Sequence, residues 1–193
     1  MKIPYVELHC HSGFSFLDGA SHPEELVLRA VELGYPALAL TDHGGLYGSM
    51  EFAHAARRAG IQPITGAEVT LRDCFPGQEE PEGGHHVTLL AETPRGYANL
   101  CRLLTDAHMG SPREDPRLPL SSLLELPEGI ILLTGCRRSP VWAALQSSAA
   151  DGEAVTRLLV QAFEPGSVFV ELQDNAVKGD AQRNRALARL AGR

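Results

Sequence analysis

Short apolar runs alternate with longer amphipathic stretches along most of this chain of 193 residues. The apolar runs have the length and composition of β-strands, whereas the amphipathic stretches repeat apolar residues at the spacing of one helix face. The predicted strands cover residues 3–8, 36–41, 62–71, 87–91, 129–134 and 168–172. Three helices are predicted at residues 46–59, 151–163 and 180–190. Three more are predicted to begin after residue 21, after residue 93 and at residue 139.

Several predicted helix ends carry recognisable signals. Ser21 and Glu24 have the spacing of a capping box, with Ser21 as the N-cap and Glu24 three residues later. Gly34 stands where a glycine ends a helix, and Thr93 is an N-cap followed by Pro94 at the first helical position. The predicted buried stripe of the helix after Thr93 consists of Tyr97, Leu100, Cys101 and Leu104.

The alternation of strands and helices predicts an α/β fold. We expect a parallel sheet with right-handed crossovers, closed or nearly closed as a barrel. Two polar, turn-rich segments at 73–84 and 110–119 predict exposed loops. The length fits a single domain, 1–193, with a sizeable core.

Composition and charge narrow the class of protein. The chain is 44% hydrophobic and 21% charged, as in ordinary globular proteins, and its net charge is −7. Proteins that bind nucleic acid on their own are usually basic, so this acidic chain is not an obvious independent nucleic-acid-binding protein. An excess of acidic residues does suit the binding of metal cations. The four cysteines form no CxxC pair, no signal peptide is visible, and no apolar run approaches the ~20 residues of a membrane span. We therefore expect a cytoplasmic protein with reduced thiols.

The first candidate for chemistry is the pair His9 and His11, directly after the first predicted strand. Side chains two residues apart on an extended strand point to the same side, and the carboxyl ends of strands carry the active sites of α/β barrels. Two imidazoles placed in this way form half of a metal site. Taken alone, the pair is equally compatible with surface histidines at the start of a loop.

Further metal-ligating residue types recur where later strands begin or end. Each has an ordinary structural alternative, such as a turn cap, an ion pair, a solvated imidazole or a buried thiol. Their recurrence favours one shared site, and spacing alone leaves His85 and His86 as equal alternatives. We interpret His22 and His54 as surface or structural residues, and His108 as favourable at a helix end. The candidates are Asp42 and His43, Glu68, His85 or His86, and Cys136.

The candidate ligands predict a centre with two or more metals. Imidazole suits zinc, manganese and iron, while carboxylates suit harder ions and bridge metal pairs. Such centres generate hydroxide near neutral pH and stabilise charge on a phosphoryl group. Cys136 would favour zinc at its position.

With these residues assembled, the chain resembles a PHP (polymerase and histidinol phosphatase) domain. Its motifs are similar to those of the N-terminal domain of bacterial DNA polymerase III alpha-type subunits, in particular the error-prone alpha-type. The resemblance runs from about residue 5 to the end of the chain. The matching stretches are ELHCHSGFSFLDGASHPEELV, ALTDHGGLYGSMEFA, GAEVTL, HVTLLAETPRGYANLCRLL and TGC.

The resemblance implies a distorted (β/α)7 barrel of the TIM-like type, with a centre of up to three divalent metals. Zinc or manganese are the expected ions, with iron or magnesium as alternatives. It implies that Glu68 bridges metals, that the HVTLL pattern selects His86 over His85, and that Asp18 and Cys136 replace histidines of stand-alone family members. The implied metal ligands are His9, His11, Asp18, His43, Glu68, His86 and Cys136.

One family feature is not found in this sequence. The family ends its metal motifs with an Asp-x-His after a late strand, and nothing after residues 169–173 supplies it. On this resemblance, the barrel is expected to lack its last strand in this chain. The metal position of Glu68, His86 and Cys136 is then expected to be intact, and the other two to be weakened.

Three functions follow as hypotheses. The first is metal-dependent phosphoester hydrolysis of the 3′–5′ exonuclease type, with His9, His11, His43 and Glu68 acting through bound metal. The second is a structural or interaction module of a DNA polymerase, which the acidic charge and the missing motif favour. The third is a stand-alone histidinol-phosphatase-like enzyme, against which Asp18 and Cys136 argue. The polymerase likeness implies, as partners, the rest of a polymerase chain, DNA through it, a sliding clamp and mutagenesis factors.

Overall fold

The computed structural model of the chain describes residues 5–73, 75 and 81–192. Five strands and seven helices follow one another along these residues. In chain order they are α1 (Pro23–Glu32), β1 (Ala37–Leu40), α2 (Ser49–Ala59), β2 (Gln62–Leu71), β3 (His85–Ala91), α3 (Pro94–Met109), α4 (Leu120–Glu125), β4 (Ile130–Leu133), α5 (Pro140–Ser147), α6 (Ala149–Ala162), β5 (Val168–Phe169) and α7 (Asp180–Ala191).

The strands form one mixed sheet in the order β1-β2-β3-β4-β5. The pairs β1–β2 and β4–β5 are parallel, but β3 runs antiparallel to both of its neighbours, so the prediction of a parallel sheet is wrong at β3. Parallel neighbours need a crossover connection, whereas antiparallel neighbours can be joined by a loop. No helix of the described residues lies between β2 and β3, which is compatible with their antiparallel pairing. β3 and β4 are antiparallel with α3 and α4 between them, whereas β4 and β5 are parallel with α5 and α6 between them, so the intervening helices do not by themselves set the strand direction.

The two ends of the sheet approach each other. Glu7 forms a parallel bridge with Leu38, which places the N-terminal segment beside β1. The segment that follows β5 reaches the same place from the other side, since Glu171 Oε1 lies 2.7 Å from His9 Nδ1. The fold is therefore mixed α/β, consistent with a partial TIM-like barrel.

Three apolar clusters pack against this sheet. The largest joins β2, β3 and β4 to the helices α3 to α7, and the second joins β1 to α1 and α2. The smallest consists of Ala39, Leu90 and Leu133, from β1, β3 and β4. Because side chains alternate along a strand, Ala67, Val69 and Leu71 of β2 enter the largest cluster while Glu68 faces the other way. This alternation directs a carboxylate away from the core and toward the candidate site.

Most predicted elements are confirmed, with shifts at their ends. The strand at 62–71, the Thr93–Pro94 start of α3 and the glycine after α1 are as predicted. The strand predicted at 3–8 is only an isolated bridge at Glu7, residues 3 and 4 lie outside the described residues, and β5 is shorter than predicted. Residues 74 and 76–80 of the first predicted loop also lie outside them.

Two helical details correct the sequence interpretation. The N-cap of α1 is His22 rather than Ser21, because its backbone N–H donates to the Glu25 carboxylate at 2.8 Å and Pro23 takes the first helical position. On α3, Tyr97 is 44% exposed, and the buried face instead includes Leu103.

Within the described residues, none of the helices has the length and apolar character of a membrane span.

Candidate metal centre

A buried carboxylate lies at the centre of the site. Glu68, in β2, is 1% exposed, and its Oε2 atom lies 3.3 Å from His9 Nε2, 3.1 Å from His11 Nε2 and 3.4 Å from His43 Nε2. Its Oε1 atom lies 2.9 Å from His86 Nδ1. Four imidazoles therefore surround one carboxylate, and its two oxygens face different histidines.

Asp18 extends the site toward solvent. Its Oδ2 atom lies 2.7 Å from His11 Nδ1 and 2.9 Å from His43 Nε2, so one oxygen joins two of the histidines. Three groups of ligand atoms are compact enough to hold a metal ion. They are His9, His11 and Glu68; His11, Asp18 and His43; and His43, Glu68 and His86.

Strand pairing explains why His86 and not His85 reaches the cluster. Val87 and Leu89 enter the apolar core, so the alternation places His86 on the opposite face of β3, where its pairing partner on β2 is Thr70. His85 is buried on the other side, with Nδ1 3.3 Å from the Arg138 carbonyl. The sequence interpretation began β3 at residue 87, and extending the strand by two residues would have separated the two histidines.

The histidine nearest to two carboxylates holds its proton strongly. Burial favours the neutral imidazole of His9, but hydrogen bonds to Glu171 and Glu68 outweigh it and raise the pKa of His9 to about 10. The pKa of His11 is raised in the same way against the effect of burial, mainly by Glu68. His9 thus supplies positive charge to the metal-free centre.

The carboxylates show the opposite effect. Burial opposes the charged form of Glu68, yet hydrogen bonds from His11, His86 and His9 hold the pKa of this carboxyl well below its usual range. A hydrogen bond from His43 lowers the pKa of Asp18. Ionised carboxylates and imidazoles are ligands for divalent metals, and a metal that binds them displaces the protons they share.

Cys136 lies at the edge of this cluster. Its Sγ atom is 3.9 Å from His86 Nδ1. Burial, followed by the charge of Glu68, raises the pKa of the thiol to about 12. Cys136 is not part of the three compact groups found among the described residues, so its role as a ligand stays a prediction.

Sequence reasoning missed the residues that support His9 from behind. Glu171 Oε1 lies 2.7 Å from His9 Nδ1, and Thr88 Oγ1 lies 3.2 Å from the same atom. A histidine that binds a metal through one ring nitrogen commonly donates its other N–H to a carboxylate, which fixes the ring. The available signal was an acid at the end of yet another strand, since Glu171 follows β5 by two residues.

The remaining histidines lie outside the cluster. His22 and His54 are exposed, whereas His108 Nε2 donates to the Gly44 carbonyl oxygen at 2.7 Å. Asp42 is not beside the metal ligands either, since it binds the backbone and hydroxyl of Ser12 at 2.7 Å each. Asp42 therefore stabilises the segment beside His11, and His108 stabilises the segment beside His43.

A cavity of about 1320 Å³ opens over the cluster. Its lining combines the candidate metal ligands with exposed apolar and arginine side chains from surrounding loops. Besides the cluster, these include Phe14, Phe16, Leu17, Tyr47, Arg113 and Arg138. The cavity exceeds the ~300–1,000 Å³ of common small-molecule sites, so a substrate larger than a simple monophosphate has room.

Comparison with known proteins decides the family. The PHP domain model matches residues 7–175, which is most of the chain. The chain belongs to the PHP family. The matched region contains the whole PHP cluster described above, from His9 to Glu171.

Relatives of this PHP domain include parts of bacterial DNA polymerases. An error-prone DNA polymerase of Cutibacterium acnes is 44% identical over 200 residues, covering 99% of this chain and 17% of that protein. One from Symbiobacterium thermophilum is 44% identical over 203 residues, covering 96% and 18%. A DNA polymerase III subunit alpha of Chlamydia pneumoniae is 40% identical over 154 residues, covering 76% and 12%. The chain spans less than a fifth of the length of these relatives.

Solved structures are more distant. An amidohydrolase from Chromobacterium violaceum matches with a TM-score of 0.40 and 23% identity, covering 79% of this chain and 54% of that one. A two-domain protein from Bacteroides vulgatus, described as containing a predicted PHP-like metal-dependent phosphoesterase, has a TM-score of 0.44 and 18% identity, covering 69% and 36%.

Proposed function

We propose that this PHP domain hydrolyses phosphoesters with divalent metals, as the 3′–5′ exonuclease-like part of an error-prone DNA polymerase. The supporting observation is the Glu68 carboxylate, buried within 3.4 Å of ring nitrogens from four histidines. Imidazole and carboxylate are the donors of multinuclear hydrolytic centres, and the two oxygens of Glu68 suit a bridging ligand.

The residues of the cluster would have different roles in such a metal centre. Divalent metals in such a centre activate water as a nucleophile and stabilise charge on the transferring phosphoryl group. Glu68 and the four histidines would hold the metals, Asp18 would complete the position nearest to solvent, and Glu171 would orient His9. A cysteine nucleophile is not needed, and burial raises the pKa of the Cys136 thiol to about 12 in the metal-free protein, so coordination of a metal by Cys136 would release the thiol proton.

Zinc or manganese are the ions we propose. Imidazoles bind both, and the carboxylate of Asp18 beside His11 and His43 suits the harder manganese ion at that position. Coordination by Cys136, next to His86, would favour zinc at the position deepest in the site.

The polymerase context supports the choice of substrate. Because the relatives are error-prone DNA polymerases several times longer than this chain, we propose the remainder of such a polymerase as its partner, with DNA reaching the centre through it. A sliding clamp and mutagenesis factors are the further partners we propose, and the cytoplasm is the proposed location.

The proposal is tested by metal-dependent hydrolysis of bis(p-nitrophenyl) phosphate, a small diester without a base. Wild-type protein loaded with zinc or manganese should release nitrophenol, and Glu68→Gln should reduce the rate by about 100-fold or more, since loss of even an outer-shell partner costs 10–100-fold. His54→Gln, which changes an exposed histidine outside the site, is the matched control. Absence of metal-dependent hydrolysis in the wild type would refute the proposal and favour a purely structural module.

A further inference from the structure

Two large apolar side chains project from the loop that carries Asp18. Phe16 is 87% exposed and Leu17 is fully exposed, and both line the cavity over the metal cluster. We refer to these two residues as the apolar tip. Exposed apolar side chains grouped beside a site commonly mark a surface that binds something.

The loop below the apolar tip is firmly anchored. The buried Asp42 carboxylate accepts hydrogen bonds from the Ser12 backbone N–H at 2.7 Å and the Ser15 hydroxyl at 2.6 Å, and Ser15 Oγ accepts from the His43 N–H at 3.1 Å. Ser12, Ser15 and Asp42 are each at most 2% exposed. The exposure of the tip is therefore imposed by the buried base of the loop.

The backbone at the tip is also strained. Leu17 has a φ of 67°, the left-handed region that a leucine rarely occupies. Strain of this kind persists where the surroundings enforce it, and it clusters at ligand-binding sites. Here it turns Asp18 back to His11 and His43 while Leu17 points outward.

The walls of the cavity add two other kinds of contact. Tyr47, 64% exposed, supplies a further aromatic ring, and the exposed Arg113 and Arg138 supply positive charge. A ligand with flat apolar surfaces joined by phosphates matches this combination of apolar tip, arginines and metal ligands.

We infer that the apolar tip and Tyr47 bind the unpaired terminal bases of a single-stranded nucleic acid whose phosphodiester lies at the metal cluster. The inference rests on the proposed function and names its substrate class. Unpaired bases expose their faces to stacking, whereas bases within a duplex do not. A protein with a net charge of −7 offers little attraction to a phosphate backbone. Contact with the end of a strand therefore fits this chain better than contact along many nucleotides.

Stacking on the tip is measured directly with Phe16→Trp. The chain contains one natural tryptophan, Trp142, so wild-type protein supplies the background. Addition of a (dT)8 oligonucleotide with phosphorothioate linkages, which resist cleavage, should quench the new fluorescence. Leu28→Trp, on an exposed face of α1 outside the cavity, should show no quenching. Equal signals from the two variants would overturn the inference.

Binding of the same oligonucleotide, labelled at its 5′ end, is then measured by fluorescence anisotropy. Phe16→Ser should weaken binding by about 10-fold or more, as loss of an aromatic stacking partner does. Leu17→Ser should weaken binding less, through the loss of apolar contact, while Leu28→Ser should leave binding unchanged. Wild-type affinity in the tip variants would refute the inference and indicate that the tip contacts protein, such as the rest of a polymerase. Failure of the small diester to be hydrolysed refutes the proposed function separately, because neither binding measurement depends on catalysis.

Discussion

At the scale of single residues, the support of His9 by Glu171 gives a first prediction. Glu171→Gln keeps the shape of the side chain but removes the charge that faces His9 Nδ1 at 2.7 Å. Metal affinity should fall by roughly tenfold, within the range measured for outer-shell partners, without loss of the fold. Isothermal titration with zinc measures it, and Glu125→Gln, an exposed carboxylate, is the control. Unchanged affinity would mean that Glu171 does not orient His9.

Metal uptake should release protons. Hydrogen bonds to Glu171 and Glu68 raise the pKa of His9 to about 10 despite burial, so the metal-free imidazole is protonated at neutral pH. Because a metal binds only neutral imidazole, affinity should increase with pH at every pH below about 10. Titrations at pH 7 in two buffers of different ionisation enthalpy count the protons. A count of at least one is expected, and a count of zero contradicts the described hydrogen bonding.

The sequence identified most of the cluster residues but not their supporting contacts. His9, His11, His43 and Glu68 were recognisable because metal-ligating residue types follow apolar runs. Glu171 was missed because the predicted strand at 168–172 placed this acid inside a strand, whereas β5 ends at Phe169 and the approach of the two sheet ends brings Glu171 to His9.

At the scale of elements, the loop between the N-terminal segment and α1 depends on Gly19. A Cβ atom at this position would lie 2.0 Å from the Ser12 carbonyl oxygen, whereas at Gly13 the nearest atoms would be 3.6 Å away. Gly19→Ala should therefore cost about 1–3 kcal/mol in the free energy of unfolding and displace Asp18 from the cluster. Gly13→Ala should change stability by less than ~0.5 kcal/mol. Urea unfolding compares the two, and equal stabilities would contradict the described loop.

The ion pair of Asp180, the first residue of α7, predicts how the stability of the fold changes in acid. The Arg137 guanidinium, 2.6 Å from Asp180 Oδ1, lowers the pKa of this carboxyl to about 2, below its value of 3.8 in a model peptide. A depressed folded pKa contributes stability above pH 3.8 that is lost as the pH falls toward 2. Arg137→Gln should reduce this loss, so its unfolding free energy should fall less steeply than that of the wild type between pH 4 and 2.

Urea unfolding across this pH range measures the difference. Arg102→Gln, an exposed arginine on α3, should keep the wild-type slope. Identical slopes for Arg137→Gln and the wild type would show that the Arg137–Asp180 ion pair does not contribute to the pH dependence of stability.

Elements were predictable to different degrees. Strands and helices with strong patterns, such as β2 and α3, were located from the sequence because burial imposes their period. The direction of β3 was not, because the helices between two strands do not fix it: two helices separate β3 from the antiparallel β4, and two also separate β4 from the parallel β5. The short helix α4 was also missed, because six residues hold too few turns to show a period.

At the scale of the whole molecule, the site lies where distant parts of the chain converge. The N-terminal segment, the end of β1, the middle of β2, the start of β3 and the residues after β5 each contribute a side chain. The net charge of −7 is compatible with this arrangement, because the site would bind substrate through metals and local contacts rather than through an extended basic surface.

The most direct test is the shortening of a 5′-labelled single-stranded oligonucleotide, resolved by length on a gel. Protein supplied with zinc or manganese should remove nucleotides from the 3′ end, a chelator should stop the reaction, and metal added back should restore it. Glu68→Gln should be inactive while His54→Gln remains active. A full-length oligonucleotide in the presence of metal, or shortening that survives chelation or Glu68→Gln, would contradict a hydrolytic role for the cluster.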